Sequence, residues 1–286
     1  MTEGEGVKIL LAGSAGFCFG VKRATKMAFQ ASEDHDRICS LGPIIHSPQV
    51  VRRLEEKGVE VIQNVEDIVS GAVVIRSHGV TLCELEAIVE KNLKIVDATC
   101  PFVKKAHENA EQLGRQGYSL VIVGEKEHPE VQGIVSYARS AGNVYVVATA
   151  EEAEKLALTG KIGLVAQTTQ SFDNFSEVVK ACLRKGREVR VFNTICDATS
   201  VRQNEACEIA RQSDLVLVIG GYNSANTARL AKICRAIQPR THHIETVADL
   251  EKSWFDGVSV VGITAGASTP KWIIDEVVEK VKCAGK

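Results

Sequence analysis

The feature that most constrains this fold is a recurring segment in which a short apolar run leads through a single cysteine into a helical pattern. The segment occurs three times, as VKILLAGSAGFCFGVKRATKMAF, LKIVDATCPFVKKAHENAEQL and VRVFNTICDATSVRQNEACEIA. Its cysteines are Cys18, Cys100 and Cys196. Repetition of one plan along a chain indicates structural units of similar build. The pattern therefore predicts a strand, a cysteine and a helix start at three corresponding places.

The same further elements follow each of these segments: a strand, polar loop and helix, a short strand, and a second strand, loop and helix. The strands are continuous runs of Val, Ile and Leu, which are typical of parallel strands buried on both faces. Their alternation with helices indicates βαβ units. We therefore predict an α/β protein of three similar, mostly parallel domains in a pseudo-threefold, three-lobed arrangement, with boundaries at 1–99, 100–195 and 196–286 and a helix at the C-terminus.

Several helix starts carry recognisable signals. Pro101 stands where a first-turn proline is tolerated, because its missing N–H would have no partner there anyway. Thr81 with Glu84, and Ser200 with Gln203, match the capping-box pattern. We expect helices to begin next to these residues.

Composition excludes several classes of function. The chain has 286 residues, 45% of them hydrophobic, and a formal net charge of −2, so no basic field indicates a nucleic-acid partner. No apolar run approaches the ~20 residues of a membrane span. Glu3 and Glu5 stand where a signal peptide carries positive charge. We interpret the N-terminus as a short acidic lead-in to the first strand and expect a cytoplasmic protein.

The nine cysteines do not form a local pattern. Their number is odd and their spacing irregular, and the nearest pair, Cys196 and Cys207, does not make a CxxC motif. Neither a disulfide framework nor a local zinc knuckle is therefore favoured. Cysteine often serves as a small core hydrophobe, and we expect that role for six of them: Cys39, Cys83, Cys182, Cys207, Cys234 and Cys283.

Polar side chains cluster after the predicted strands. Ligands of open α/β sheets bind beyond the carboxyl ends of the strands, and helix N-termini attract phosphate. The residue types there suit an anion with many acceptor oxygens, such as a diphosphate, although several of them would also serve as ordinary helix caps. The candidates are His46, His78, His128, Glu130, Thr168, Thr169, Ser224, Asn226 and Ser268.

Three converging thiolates suit either of two metal centres. Zinc with three cysteines needs a fourth ligand, which a histidine could supply. An iron–sulfur cluster normally takes four cysteines, so with three of them one iron is left open to act as a Lewis acid. Glu130 is the carboxylate placed to deliver a proton, unless it only stabilises a helix dipole. From the residues alone, an iron–sulfur enzyme acting at a hydroxyl or carboxylate, a zinc-dependent hydrolase of a phosphorylated metabolite and a non-catalytic anion sensor all stay open.

The motif set resembles one known family, the 4-hydroxy-3-methylbut-2-enyl diphosphate reductases of the non-mevalonate isoprenoid pathway. The resemblance runs from about Lys8 to about Lys282. It is carried by nine motifs in order: GFCFGVKRA, GPIIHSP, RSHGV, DATCPFVKK, HPEVQGI, AQTTQS, ICDATSVRQ, NSANT and TAGAS.

The resemblance implies a cofactor and a reaction. Three lobes would surround a central [4Fe-4S] cluster held by Cys18, Cys100 and Cys196, with the allylic hydroxyl of the substrate on the open iron. Two electrons and two protons would remove that hydroxyl as water, and the products would be isopentenyl and dimethylallyl diphosphate. A ferredoxin or flavodoxin type of carrier would supply the electrons.

The resemblance also implies roles for the polar residues. Glu130 would donate the proton through a relay with Thr168 and His128, which also contact the substrate. The diphosphate would be held by His46, His78, Ser224, Asn226 and Ser268. Some family members carry a second serine where this chain has Ala225, so one diphosphate contact is expected to be missing.

Overall fold

The computed structural model describes residues 7–284, in which helices and parallel strands alternate. The acidic lead-in with Glu3 and Glu5 lies outside the described residues, as do residues 285–286. The strands are β1 (Lys8–Leu11), β2 (Ile38–Leu41), β3 (Val59–Ile62), β4 (Ala72–Ile75), β5 (Lys94–Asp97), β6 (Ser119–Val123), β7 (Val144–Val147), β8 (Lys161–Ala166), β9 (Glu188–Val191), β10 (Leu215–Ile219), β11 (Thr241–Ile244) and β12 (Val260–Ala265).

The α-helices follow the strands as the sequence predicts, apart from the short helix between β7 and β8, for which the sequence gives no prediction. They are α1 (Phe19–Asp34), α2 (Pro48–Glu55), α3 (Leu82–Glu90), α4 (Pro101–Arg115), α5 (Pro129–Tyr137), α6 (Ala150–Lys155), α7 (Phe172–Leu183), α8 (Asp197–Arg211), α9 (Ala225–Ile237) and α10 (Lys271–Ala284). Short 3₁₀ turns occupy Val65–Asp67, Val247–Asp249 and Lys252–Phe255. Among the described residues, no helix combines the length and apolar character needed to cross a bilayer.

The strands form three four-stranded sheets of one design. The first sheet has the order β3-β2-β4-β5, the second β7-β6-β8-β9, and the third β11-β10-β12-β1. Every neighbouring pair is parallel. The prediction of three similar α/β lobes with parallel sheets is confirmed.

The strand before each cysteine closes one sheet, and the chain then moves to the next. β5 ends the first sheet, whereas α4 packs on β6 and β8 of the second. β9 ends the second sheet, whereas α8 packs on β10 and β12 of the third. β1 pairs with β12, in the register Lys8 to Val260, and so belongs to the third sheet. The boundaries 1–99, 100–195 and 196–286 stay a prediction. The sheets differ from them at β1, which lies in the predicted first domain but pairs within the third sheet.

By its internal contacts the chain divides into two compact units. The third-sheet unit contains residues 7–21, 46–50 and 197–284 of the described chain, and the two-sheet unit contains residues 22–45 and 51–196. The segment 46–50 therefore groups with the third sheet although it follows β2 in sequence. Each unit is described by itself below.

The centre of each sheet is apolar on both faces. All five residues of β10, Leu215 to Ile219, have 0% exposure, and β4 is buried along its whole length. Helices cover both sides of a parallel sheet, so its central strands have no solvent face to alternate toward. This is why the strands read as continuous Val, Ile and Leu runs.

Two of the three helix-start predictions are confirmed. Pro101 is the first residue of α4, and Thr81 forms a complete capping box with Glu84 at the start of α3. The Ser200 prediction is wrong, because α8 already begins at Asp197 and Ser200 lies inside its first turn. Asp197 supplies the acidic first-turn residue that a helix N-terminus favours.

The cysteines outside the repeat separate into core and surface. Cys39, Cys182 and Cys234 are buried, and burial raises the pKa of these thiols to about 11, about 11 and about 12. The charge of Glu60 raises the pKa of Cys39 further, and Cys207 does the same for Cys234. The core prediction is wrong for the exposed Cys83 and Cys283, which lie on the outer sides of α3 and α10, and Cys207 is half-buried.

Candidate active site

The three repeated cysteines occupy corresponding places at helix starts. Cys18, Cys100 and Cys196 each directly precede the first residue of a helix, α1, α4 and α8. All three are half-buried and free of disulfides. At Cys18 the backbone N–H of Val21 points at the sulfur, with an N···S distance of 3.5 Å. The N–H groups of a helix start attract negatively charged ligands, and the three sulfurs stand at such starts.

A backbone hydrogen bond ties each cysteine to a neighbouring loop of its own sheet. The N–H of Cys18 donates to Ala267 at 3.1 Å, that of Cys100 to Ser77 at 3.0 Å, and that of Cys196 to Thr168 at 3.0 Å. These bonds continue beyond the paired strand ends, where β1 lies beside β12, β5 beside β4, and β9 beside β8. The acceptor Thr168 is a candidate site residue, and the acceptors Ser77 and Ala267 directly precede the candidates His78 and Ser268.

Glu130 and Thr168 form a buried pair in the two-sheet unit. Glu130 is 2% exposed, and its two carboxylate oxygens accept hydrogen bonds from the Thr168 N–H at 2.6 Å and the Thr168 hydroxyl at 2.9 Å. Thr168 thus holds the acid with two donors while its carbonyl receives the Cys196 N–H. One residue therefore links the candidate proton donor to a candidate ligand.

His128 caps the helix that carries Glu130. Its Nδ1 accepts the backbone N–H of Glu130 at 3.1 Å, at the start of α5. Because Nδ1 is the acceptor, the proton of the neutral ring is assigned to Nε2. The cap therefore leaves Nε2 as the donor of the ring.

His78 lies in a tightly held turn beside His128. The two rings meet edge to face, with centroids 5.6 Å apart and an interplanar angle of 78°. The turn is held at Ser77, whose N–H and hydroxyl both donate to the carbonyl of Ile44, at 3.1 and 3.0 Å. The two-sheet unit thus places His78, His128, Glu130 and Thr168 after the ends of β4, β6 and β8.

The third-sheet unit contains four of the polar candidates, His46, Ser224, Asn226 and Ser268, whereas Thr169 lies beside Thr168 in the two-sheet unit. Ser224 caps α9 by accepting the Thr227 N–H, and the Ser268 hydroxyl donates to the carbonyl of His46 at 3.1 Å. Asn226 is 5% exposed, and within residues 7–284 its Nδ2 has no hydrogen-bond partner although it is buried. A buried amide donor left unpaired costs free energy, so this N–H₂ is suited to an oxygen-rich ligand.

Sheet topology explains why these loops carry the polar residues. In every sheet one central strand, β2, β6 or β10, has the next strand of the chain on one side and the strand after that on its other side. The strand order therefore reverses between β2 and β4, between β6 and β8, and between β10 and β12, and each reversal is a topological switch point. Ligands of open α/β sheets bind beyond the carboxyl ends of the strands at such points. His128 and Thr168 flank the switch of the second sheet, and Ser224 and Ser268 flank that of the third.

Sequence reasoning missed two residues that hold the Cys18 loop. Arg202 on α8 is 4% exposed and donates to the carbonyl of Gly16 at 2.8 Å, and Glu205 on the same helix accepts the Ser14 N–H at 2.9 Å. Arg202 belongs to the motif ICDATSVRQ, so the motif marked it without indicating its role. These contacts position the segment that leads into the first cysteine.

Comparison with known proteins agrees with this geometry. Residues 9–282 match the family model described as LytB protein. The chain is 65% identical to the 4-hydroxy-3-methylbut-2-enyl diphosphate reductase of Syntrophotalea carbinolica over 98% of this chain and 100% of the relative. It is 62% identical to that of Geobacter metallireducens over 96% of this chain and 97% of the relative.

Solved structures of the same kind of enzyme also match. One, described as (E)-4-hydroxy-3-methyl-but-2-enyl diphosphate reductase, the terminal enzyme of the non-mevalonate pathway, is 48% identical with a TM-score of 0.69 over 96% of this chain and 99% of the other. The reductase of Plasmodium falciparum is 27% identical with a TM-score of 0.91 over 96% and 88% of the two chains. The repeated cysteines, the three parallel sheets and a family match spanning nearly every described residue lead to one conclusion: the chain belongs to the LytB protein family.

Proposed function

We propose that this protein is a 4-hydroxy-3-methylbut-2-enyl diphosphate reductase. It adds two electrons and two protons to the allylic alcohol, breaks the C–O bond and releases water with isopentenyl and dimethylallyl diphosphate. The observation that carries the proposal is the buried Glu130–Thr168 pair, joined through the Thr168 carbonyl to Cys196. The relatives named above support it, because their names give this substrate and this reaction type.

The donor set fits an iron–sulfur cluster. Cys18, Cys100 and Cys196 form no disulfide, are half-buried and stand at helix starts, and three thiolates without a fourth suit a [4Fe-4S] cluster with one open iron. When bound, the cluster supplies the electrons and a Lewis-acidic iron for the leaving hydroxyl. Ferredoxin or flavodoxin types of carrier would reduce it.

The diphosphate is bound by neutral donors and helix N-termini. The unpaired Nδ2 of Asn226 and the hydroxyls of Ser224 and Ser268 lie at the third-sheet switch point, where the N-terminus of α9 adds its dipole. His46 and His78 would add ring donors. Ala225 is the first residue of α9 and brings no hydroxyl, so Asn226 and Ser268 carry more of the binding, the Ser268 hydroxyl turning from the His46 carbonyl to the diphosphate.

The proton comes from Glu130. In its protonated form the carboxyl group gives its proton to the allylic fragment, and the Thr168 N–H and hydroxyl then stabilise the carboxylate that remains. His128 presents its Nε2–H to the substrate while Nδ1 keeps the helix cap. Burial of Glu130 excludes bulk water from this transfer.

The test is anaerobic purification, followed by iron and sulfide analysis and turnover of the allylic diphosphate with a chemical reductant. We expect about four irons and four sulfides per chain. Glu130→Gln should keep the cluster and substrate affinity but lose ~10²–10⁴-fold in kcat. An active wild-type protein without iron, or a fully active Glu130→Gln variant, would refute the proposal.

The ligand set is tested by Cys100→Ser. The variant should lose the cluster, while Cys83→Ser, which changes an exposed cysteine on α3, should retain it and serves as the matched control. A Cys100→Ser protein with full iron and sulfide would remove Cys100 from the ligands.

No observation favours the zinc-dependent hydrolase or the non-catalytic sensor. The similar proteins named above are all called reductases. Purified protein that contains stoichiometric zinc and no inorganic sulfide would favour the zinc-dependent hydrolase instead. We also propose a cytoplasmic location, which is supported by the lack of disulfides among the cysteines of the described residues, since disulfides rarely persist in a reducing compartment.

A further inference from the structure

His107 is a buried histidine outside the proposed substrate contacts. It lies on α4, seven residues beyond Cys100, and is 5% exposed. Its Nε2 is buried and makes no hydrogen bond to any residue that the structure describes. A buried ring with an unpaired nitrogen carries a desolvation cost, so its position calls for a physical reason.

The ring fills the space above two glycines. A Cβ at Gly79 would lie 2.9 Å from His107 Cε1, and a Cβ at Gly133 would lie 2.8 Å from Nε2. Both distances are too short for real carbon contacts. Gly79 also has a φ of +75°, which other residues adopt only with strain. The imidazole therefore occupies the volume that side chains at these two positions would need.

Each glycine belongs to an element that carries a proposed substrate contact. Gly79 follows His78 in the turn after β4, and Gly133 lies on α5, one turn after Glu130. The His107 ring also stacks on Tyr137 of α5, with centroids 4.4 Å apart and planes at 13°. His107 thus touches the His78 turn on one side and the helix of His128 and Glu130 on the other.

We propose that His107 is a positioning residue that sets the spacing between the His78 turn and helix α5, and through it the placement of His78, His128 and Glu130. The inference deepens the proposed function and rests on it for its catalytic meaning. Spacing matters because displacing a catalytic group by about 1 Å can cost ~10²-fold in rate.

The ring does this as a neutral spacer. Burial lowers the pKa of His107 to about 4; Asp97 opposes the shift and Lys104 adds to it. The imidazole is therefore uncharged near neutral pH and acts through its shape and its stacking on Tyr137.

A double-mutant cycle between His107 and Gly133 tests the inference on the anaerobically purified holoenzyme. Gly133→Ala places a methyl against the ring and should lower kcat/KM about tenfold or more, with iron content unchanged. His107→Ala alone should also lower it. In the double variant the new methyl enters the vacated space, so kcat/KM should rise at least about threefold above that of Gly133→Ala.

Two further variants control for general damage. His107→Phe keeps a stacking ring and should stay within about threefold of the wild type in kcat/KM. Gly142→Ala meets only Ser119 Oγ, at 4.0 Å, and should change neither kcat nor KM. Additive losses in the cycle, or a Gly133→Ala enzyme with wild-type kcat and KM, would overturn the inference.

A readout that needs no turnover separates this inference from the proposed function. Amide hydrogen exchange of residues 76–82 and 127–133 should accelerate in His107→Ala and return toward the wild-type rate in His107→Phe. If the wild-type protein does not reduce the allylic diphosphate, the proposed function fails, whereas the exchange result still decides whether His107 holds the two segments. Unchanged exchange in His107→Ala would reject the spacer.

Discussion

At the scale of single residues, the site is built from groups that perform two tasks at once. Thr168 donates twice to Glu130 and accepts the Cys196 N–H through its carbonyl. His128 caps α5 through Nδ1, which leaves the ring proton on Nε2, the atom that we propose faces the substrate. Because each task uses a different atom, a suitable substitution can remove one and leave the other.

His128→Asn should make that separation. Asparagine is a strong N-cap residue, so the free energy of unfolding should stay within about 0.5 kcal/mol of the wild type, whereas His128→Ala should lose about 1 kcal/mol. Both variants lose the ring donor, and KM should rise about tenfold or more. Urea unfolding and steady-state kinetics under nitrogen measure the two effects. An Asn variant with wild-type KM would show that the ring does not contact substrate.

Most candidate site residues could be predicted because they stand at the ends of apolar strands. The partners that hold them could not. The role of His107 could not be predicted, since nothing in the sequence reveals that its ring faces Gly79 and Gly133. Arg202 reaches Gly16 across most of the chain, and such contacts follow from folding rather than from local pattern.

At the scale of elements, caps and crossovers place the site. The capping box of Thr81 and Glu84 starts α3, whose Leu82 N–H donates to the Ser136 hydroxyl on α5 at 2.9 Å. The helix after the His78 turn is thereby tied to the helix that carries Glu130. Secure capping of α3 thus contributes to the geometry of the two-sheet unit.

Thr81→Ala should lower the free energy of unfolding by about 0.5–2 kcal/mol, because it removes the side-chain acceptor for the Glu84 N–H. Denaturant unfolding measures the change. Thr159→Ala, at an exposed position outside any helix or strand, is the matched control and should shift it by less than about 0.5 kcal/mol. Equal effects in the two variants would argue against the cap.

Sequence patterns located nearly all elements but not all of their boundaries. The apolar runs mark the strands because parallel sheets covered on both faces demand them. The capping signal at Ser200 was misleading, since Asp197 directly after Cys196 already starts α8. Residue type alone predicts that Cys83 and Cys283 are buried, whereas their positions on the exposed faces of their helices decide the outcome.

At the scale of the whole molecule, three sheets of one topology repeat one hydrogen bond from a cysteine to a neighbouring loop. The pairing of β1 with β12 could not be predicted from local pattern, because the two strands stand at opposite ends of the chain. The hydrogen bond from each cysteine N–H forms only when the strand before the cysteine pairs in register with its neighbour, so local sequence does not predict it either.

If the three cysteines hold one cluster, these bonds should respond to it together. Removal of iron with a chelator should accelerate amide exchange at all three cysteine segments, residues 15–20, 97–102 and 193–198, relative to the holoenzyme. Exchange mass spectrometry under nitrogen measures it, with helix α7 as the internal reference. Acceleration at only one segment would show that the three sites are not loaded as a unit.

The pairing of β1 with β12 also has a consequence for folding during synthesis. β1 is synthesised before its partner β12, and the other ten strands of the described chain lie between them in sequence. At ~5–20 residues per second, β1 waits some tens of seconds without its sheet, while the first and second sheets already have all their strands. An apolar strand exposed for so long is a natural client for a chaperone, and a chain that stops before Val260 would leave Lys8–Leu11 without a partner.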